Sequence, residues 1–200
     1  MNPLPHPARQ ALSCHPADSS DSARPAVQAW ARAWRVAGNG LGLRFLARAP
    51  ADWLMGLPAE PVTHPGERAD GLWQRACLEA FAGAEGTSAY VEFNHAPDGR
   101  WAAYDFAAER IPRPASAWQA RAHPARLVCA TKRDARGHAV LTLAACWPDL
   151  PLPADAIWRV GLSAVLQAAD GALSHWALRH PAPRPDFHHP ASRALRLPPP

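Results

Sequence analysis

The chain has 200 residues, 48% of them apolar and 19% charged, with a formal net charge of +4. This length and balance fit one globular domain with a substantial core, and no apolar run approaches the roughly 18 residues of a membrane-spanning helix. All 21 basic residues except Lys132 are Arg, scattered rather than gathered into a basic stripe with interleaved aromatics, so nucleic-acid binding is not expected.

The opening MNPLPHPARQALSCHPADSS contains no apolar h-region, which makes a cytoplasmic location the expectation. Residues 1–10 are expected to form a flexible tail, 11–197 a single domain, and 198–200 a second short tail. The 23 prolines punctuate the chain. They cluster at Pro3 to Pro7, Pro50 to Pro65, Pro112 to Pro124, Pro148 to Pro153 and Pro181 to Pro200. Proline cannot donate to a strand ladder, so the nearly proline-free intervals 26–49, 66–111, 125–147 and 154–180 should hold the strands.

Each interval alternates with period two. In the first, Gln28, Trp30, Arg32, Trp34 and Val36 share a face, and Leu41, Leu43, Phe45 and Ala47 alternate with Arg44 and Arg48. Gly38-Asn39-Gly40 between them is a hairpin signal, because Gly and Asn tolerate positive φ. The second interval contains LWQRACLEAFAGAEGTSAYVEFNHAPDGRWAAYDF, Leu72 to Phe106, which reads as three strands joined by two Gly-containing turns. The third gives RLVCATK and HAVLTLAAC around Asp134 to Gly137. The fourth gives AIWRVGLSAVLQ and ALSHWAL around Asp170-Gly171. Residues 156–169 also admit an amphipathic helix, but alternating Trp, Val, Ile and Leu flanked by turns favour strands. Hairpin-ordered strands without crossover helices predict an all-β antiparallel sandwich of about nine to eleven strands.

The Leu72 to Phe106 block also carries polar residues where strands usually place apolar ones. If its strands pair in sequence, Trp73, Arg75, Glu79, Tyr90, Glu92, Asn94 and Trp101 can form one surface. Flat aromatics beside carboxylate, amide and guanidinium groups suit a sugar, whose C–H face packs on rings and whose hydroxyls take charged hydrogen bonds. The plainer alternative pairs Glu79 and Glu92 with arginines on a solvent-facing sheet.

Other clusters point to chemistry less strongly. His175, His180, His188 and His189 surround Asp186, and His180, Asp186 and His188 are weak metal candidates. The proline-rich HPAPRPDFHHP offers no helical i,i+4 pair, so a surface loop is expected, with no cofactor. Haem would have to use Met55 beyond the initiator methionine. Cys14, Cys77, Cys129 and Cys146 form no CxxC and read as reduced core thiols. Ser174 and His175 are adjacent in a strand and point to opposite faces, so they cannot act as nucleophile and base, and no catalytic residues are expected. Of the nine tryptophans, Trp30, Trp34, Trp73, Trp101, Trp158 and Trp176 fall in predicted strands, where most should be core.

The block resembles the signature of bacterial DOMON-like proteins related to the family 9 carbohydrate-binding modules. The matching positions are Leu72, Trp73, Cys77, Glu79, Phe81, Tyr90, Glu92, Phe93, Asn94, Pro97, Gly99, Trp101, Tyr104 and Phe106. Trp176, His180, Pro185, Asp186, Phe187 and His188 resemble that group's C-terminal motif, so the likeness spans roughly 12–197. It implies a β-sandwich that binds a sugar or, in other branches, haem. This branch carries a label after UDP-N-acetylenolpyruvoylglucosamine reductase, but no flavin-binding segment is visible. His95-Ala96 stands where the group has Ser before the proline. The resulting expectation is a non-enzymatic module for a carbohydrate-like small molecule, with haem or metal redox chemistry and a purely structural role as alternatives.

Overall fold

A computed structural model describes residues 8–18, 27–51, 53–54 and 56–200. The expected N-terminal tail therefore lies outside the described residues up to position 7, as does Met55. Among the described residues twelve strands form: β1 (Gln10–Cys14), β2 (Gln28–Val36), β3 (Gly40–Ala49), β4 (Cys77–Ala84), β5 (Tyr90–His95), β6 (Trp101–Ala108), β7 (Ile111–Pro112), β8 (Arg126–Arg133), β9 (Ala139–Trp147), β10 (Trp158–Gln167), β11 (Leu173–Ala177) and β12 (Leu195–Leu197). An α-helix, α1 (Ala117–Arg121), lies within the third proline cluster and is capped by Ser116, whose side chain accepts from the Gln119 N–H.

The strands make two antiparallel layers. The first runs β1-β2-β3-β9-β8 and the second β7-β6-β5-β4-β10-β11, with β12 also on β10. β1 joins the layers: Gln10 to Leu12 pair with β2, while Ser13 and Cys14 pair with β11. The all-β antiparallel sandwich expected from the sequence is the observed architecture.

The turns form where their residues permit. Gly38 and Asn39 take φ of 75° and 68°, and the Asn39 amide donates 2.7 Å hydrogen bonds to the Leu150 and Leu152 carbonyls. That turn thus anchors a proline-bounded loop as well as closing a hairpin.

The principal core fills the gap between the layers. It includes Leu41, Leu43 and Phe45 from β3, Leu78 and Ala80 from β4, Phe93 from β5, and Trp147 and Trp158 from β9 and β10. On β2 the inward face is Ala29, Ala31 and Ala33. Trp30 and Trp34 were expected inside, but they lie half-buried on the outer face with Arg9 and Arg32 over their rings. Trp34 covers Gly42, its partner across the ladder, so closely that any Cβ there would collide with the indole. The aromatic thus protects a bare stretch of strand.

His95 lies fully inside this core. Its Nδ1–H donates to the Leu78 carbonyl at 2.8 Å and its Nε2 accepts from the Trp147 indole N–H at 2.8 Å. Both nitrogens are used by the neutral ring, and burial lowers its pKa to about 4. The unfolded chain takes up this proton near pH 6.5 and the folded one only near 4. His95 therefore favours folding above pH 6.5, and that contribution is lost as pH falls toward 4. We expect His95→Ala to cost about 2–4 kcal/mol at pH 7, from the cavity and the orphaned Trp147 N–H. It should also flatten the acid limb of stability, as read by urea melts at pH 5 and pH 7.

Candidate functional site

The second layer has a second, smaller apolar cluster on its outward face, away from the main core. Cys77 and Phe81 of β4, Tyr90 of β5, Ala102 and Phe106 of β6, Val165 of β10 and Ala177 of β11 belong to it, with Leu72 and Phe187 packed from above. Two connections supply this cover. One is the segment before β4, where Gly71 adopts φ 73° and starts a single 3-10 turn over Leu72–Gln74. The other is the stretch from 178 to 194.

Between these covers lies a cleft of about 650 Å³, lined by Glu79, Phe81, Glu92, Tyr104, Phe106, Phe187 and His188 and rimmed by Arg68, Asp70, Trp73 and Arg110. Its floor follows from strand register. Glu79 pairs with Asn94 on one side and with Ser163 on the other, and Glu92 pairs with Tyr104. Side chains alternate along a strand, so Glu79, Glu92, Asn94 and Ser163 share the outward face. All four are buried, Asn94 completely.

These groups are only partly paired. The Asn94 amide donates to Glu92 Oε1 at 2.8 Å. Among the described residues, Glu79 Oε1, Asn94 Oδ1 and Ser163 Oγ have no hydrogen-bond partner. Burial pushes the Glu79 carboxyl well above its usual range, with Glu92 beside it adding to the rise and the Cys77 thiol hydrogen bond opposing it. Burial also raises Glu92 to about 7, against the Asn94 hydrogen bond and the Arg110 charge.

The C-terminal segment is tied down next to the floor. The Tyr90 hydroxyl sits 2.7 Å from His188 Nδ1 and accepts from the Arg110 N–H at 3.2 Å. With Tyr90 donating to Nδ1, the other ring nitrogen of His188 carries the proton and faces Glu92 Oε2 at 3.7 Å. Burial lowers His188 to about 4, so the ring is neutral there. Asp186 accepts from Arg110 at 2.9 Å, and Arg193 lies over the Tyr90 ring at 4.6 Å.

Several sequence expectations change here. Glu79, Tyr90, Glu92 and Asn94 do share one face. Trp101 does not: it pairs with His95 and lies in the main core, its indole donating to the Gly66 carbonyl at 2.9 Å. The reason is turn length. Ala96 and Arg100 close a three-residue loop, Pro97-Asp98-Gly99, with Gly99 at φ 93°. An odd loop sends Tyr104 and Phe106 outward and Trp101 inward. Trp73 and Arg75 are not on a strand, because β4 begins only at Cys77. Trp73 stays at the rim, 53% exposed, while Arg75 lines a separate groove with Gln74 and Arg100.

His180, Asp186 and His188 are not brought together as ligands. His180 bonds the Ser13 carbonyl, Asp186 holds Arg110 and His188 holds Tyr90. No group of three or more His, Cys, Asp or Glu able to hold a metal ion occurs among the described residues. The loop expected at HPAPRPDFHHP does more than cross the surface, since Phe187 and His188 wall the cleft. Sequence reasoning also left out Phe81, Tyr104 and Phe106 as cleft residues, and the three-residue turn was the signal that places the last two.

No family model matches the chain, and no curated protein matches it. Among solved structures, a protein from Bacteroides uniformis ATCC 8492, provisionally described as carbohydrate-binding, shares the fold. It matches with a TM-score of 0.59 at 15% identity, over 96% of this chain and 85% of that one. A family 9 carbohydrate-binding module from Caldicellulosiruptor kristjanssonii matches more distantly. Its glucose complex gives a TM-score of 0.46 at 11% identity, over 88% of this chain and 78% of the module. Its cellotriose complex gives 0.46 at 10%, over 94% and 82%.

Glu92 gives the floor a pH signature. With a folded pKa of about 7 against an unfolded value of 4.5, its contribution to stability is complete below pH 4.5 and is lost as pH rises through 7. His188 acts with the opposite sign between about pH 4 and 6.5 and is silent above that. Glu92→Gln should therefore match the wild type near pH 5 and exceed it by on the order of 2–3 kcal/mol at pH 8.5. Thermal melts of both proteins across that range provide the check.

Proposed function

We propose that the protein is a non-enzymatic, DOMON-like module that binds a carbohydrate-like small molecule in the cleft on the outer face of the second layer. The supporting observation is the pairing of a polar floor, the Glu79 and Glu92 carboxyls with Glu79 Oε1 unpartnered, and aromatic walls of Phe81, Tyr104 and Phe106. A sugar meets both demands, because its hydroxyls donate and its C–H faces pack against rings. The cleft also lies within the usual size range of small-molecule sites. The description of the Bacteroides neighbour as carbohydrate-binding agrees with this reading, although the likeness itself is one of fold.

In this reading Glu79 and Glu92 hold hydroxyls, Asn94 orients the Glu92 carboxyl, Tyr104 and Trp73 provide packing surfaces, and His188 closes one side. The protein acts by holding its ligand; the arrangement needs no nucleophile. Ser174 and His175 stay on opposite sides of β11, with Ser174 hydrogen-bonded to the Leu166 carbonyl and His175 to Asp18.

Calorimetric titration with a panel of mono- and disaccharides tests the assignment. A binding sugar should lose about tenfold or more in affinity with Glu92→Ala and with Tyr104→Ala, and Trp73→Ala should weaken it less. Arg75→Ala should leave affinity unchanged, since Arg75 is outside the cleft. Undiminished binding by a folded Glu92→Ala variant would remove the floor from the site.

A further inference from the structure

The floor of the cleft presents two carboxyls, Glu79 and Glu92, and no cation acts on Glu79. Glu79 is 3% exposed and lines the cleft, yet its Oε1 receives no hydrogen bond. Asn94, directly opposite on β5, spends its amide N–H on Glu92 and leaves its carbonyl oxygen without a donor. Directly opposed side chains in an antiparallel pair have Cβ atoms about 5 Å apart, so one small group can reach both.

Charge is unbalanced in the same direction. The groups acting on Glu79 are Glu92 and Cys77, and neither is a cation. The nearest guanidinium to influence the floor, Arg110, acts on Glu92 and is engaged by Asp186 at 2.9 Å. Arg68 and Arg110 belong to the rim, and Arg68 also reaches toward Asp70. A neutral hydroxyl supplies one donor and no charge. A primary ammonium supplies three donors and one positive charge, and its hydrogen bonds to carboxylates are roughly twice as strong as neutral ones.

We propose that the ligand is an amino sugar or similar polyol amine whose ammonium group sits at the Glu79 carboxyl, which lines the cleft with one oxygen unpartnered, and whose hydroxyls are directed to the Glu92 and Tyr104 side. This rests on the cleft being the ligand site and goes further by naming the charged group it selects. Acylating the amine removes both the charge and two donors, so the N-acetyl derivative should fit poorly. Binding should also expel a proton. Burial pushes the Glu79 carboxyl up in the empty cleft and pairing with an ammonium draws it back down, so protons leave as the pair forms.

The experiment is calorimetry at pH 6.5 with glucosamine, glucose, N-acetylglucosamine and ethanolamine, each in two buffers of different ionisation enthalpy. Glucosamine should bind at least tenfold more tightly than glucose and N-acetylglucosamine, and its apparent enthalpy should change with buffer because protons are released. Glu79→Gln should bring the glucosamine-to-glucose affinity ratio close to one, whatever the absolute affinities. If glucose binds as tightly as glucosamine, the ammonium floor is overturned and the sugar site stands. If ethanolamine binds with proton release and no sugar does, the floor stands and the sugar reading falls. Should none of the four bind, both fall.

Discussion

Glu79 is buried between Asn94 and Ser163 in a row of polar side chains that is only partly paired, and the outer face of the second layer is organised around that row. Polar groups taken from water without partners cost free energy, typically a few kcal/mol each. A sheet that only needed covering would place valine or leucine in this row, as β10 does at Val165 one step along. Instead the fold keeps the carboxyls and excludes bulk water from them with two chain segments. Leu72 and Phe187 seal the ends of the row, and the cleft opens between them. The resulting cost is chemical rather than conformational.

The inner face gives this arrangement its rigidity. Trp147, Phe93 and Trp101 pack against one another in the main core, with ring centroids 4.5 Å and 5.5 Å from Trp147. The His95 ring bridges the Leu78 carbonyl and the Trp147 indole across the gap between layers. β4 and β5 are therefore held from behind by a closely packed, fully hydrogen-bonded core, so the positions of Glu79, Glu92 and Asn94 are fixed by the backbone. Their environment on the open side is set by the C-terminal segment, through the Tyr90–His188 contact and the Asp186–Arg110 pair. Residues nearly one hundred positions apart in the chain thus define a single site.

Much of this was legible in the residues. The hairpins around Gly38 to Gly40, Asp134 to Gly137 and Asp170-Gly171 all form, because glycine and asparagine at such points allow φ values that other residues resist. Glu79, Glu92 and Asn94 could be grouped because side chains on a strand alternate. The grouping failed where alternation was carried across a break. Leu72 to Arg75 continue the period-two pattern of β4, but Gly71 turns the chain before the ladder starts, so Trp73 and Arg75 leave the sheet surface. Trp101 was assigned to the wrong face by one residue of loop length. Tryptophans also misled on β2, where alanines face the core and Trp34 lies on the outside over Gly42.

The sequence by itself determined the antiparallel sandwich, its hairpins and the presence of expensive polar positions on consecutive strands, because those depend on local turn chemistry and on alternation within a strand. Tertiary structure alone decided which strands flank β4, which way each face points and what covers it. Ser163 reaches Glu79 only through the β4–β10 pairing, and His188 reaches Glu92 only when the C-terminal segment folds back over the sheet. Those contacts join residues far apart in the chain, and no local pattern encodes them. The incomplete pairing of that polar row is a property of the assembled surface, since each polar side chain taken singly would find water.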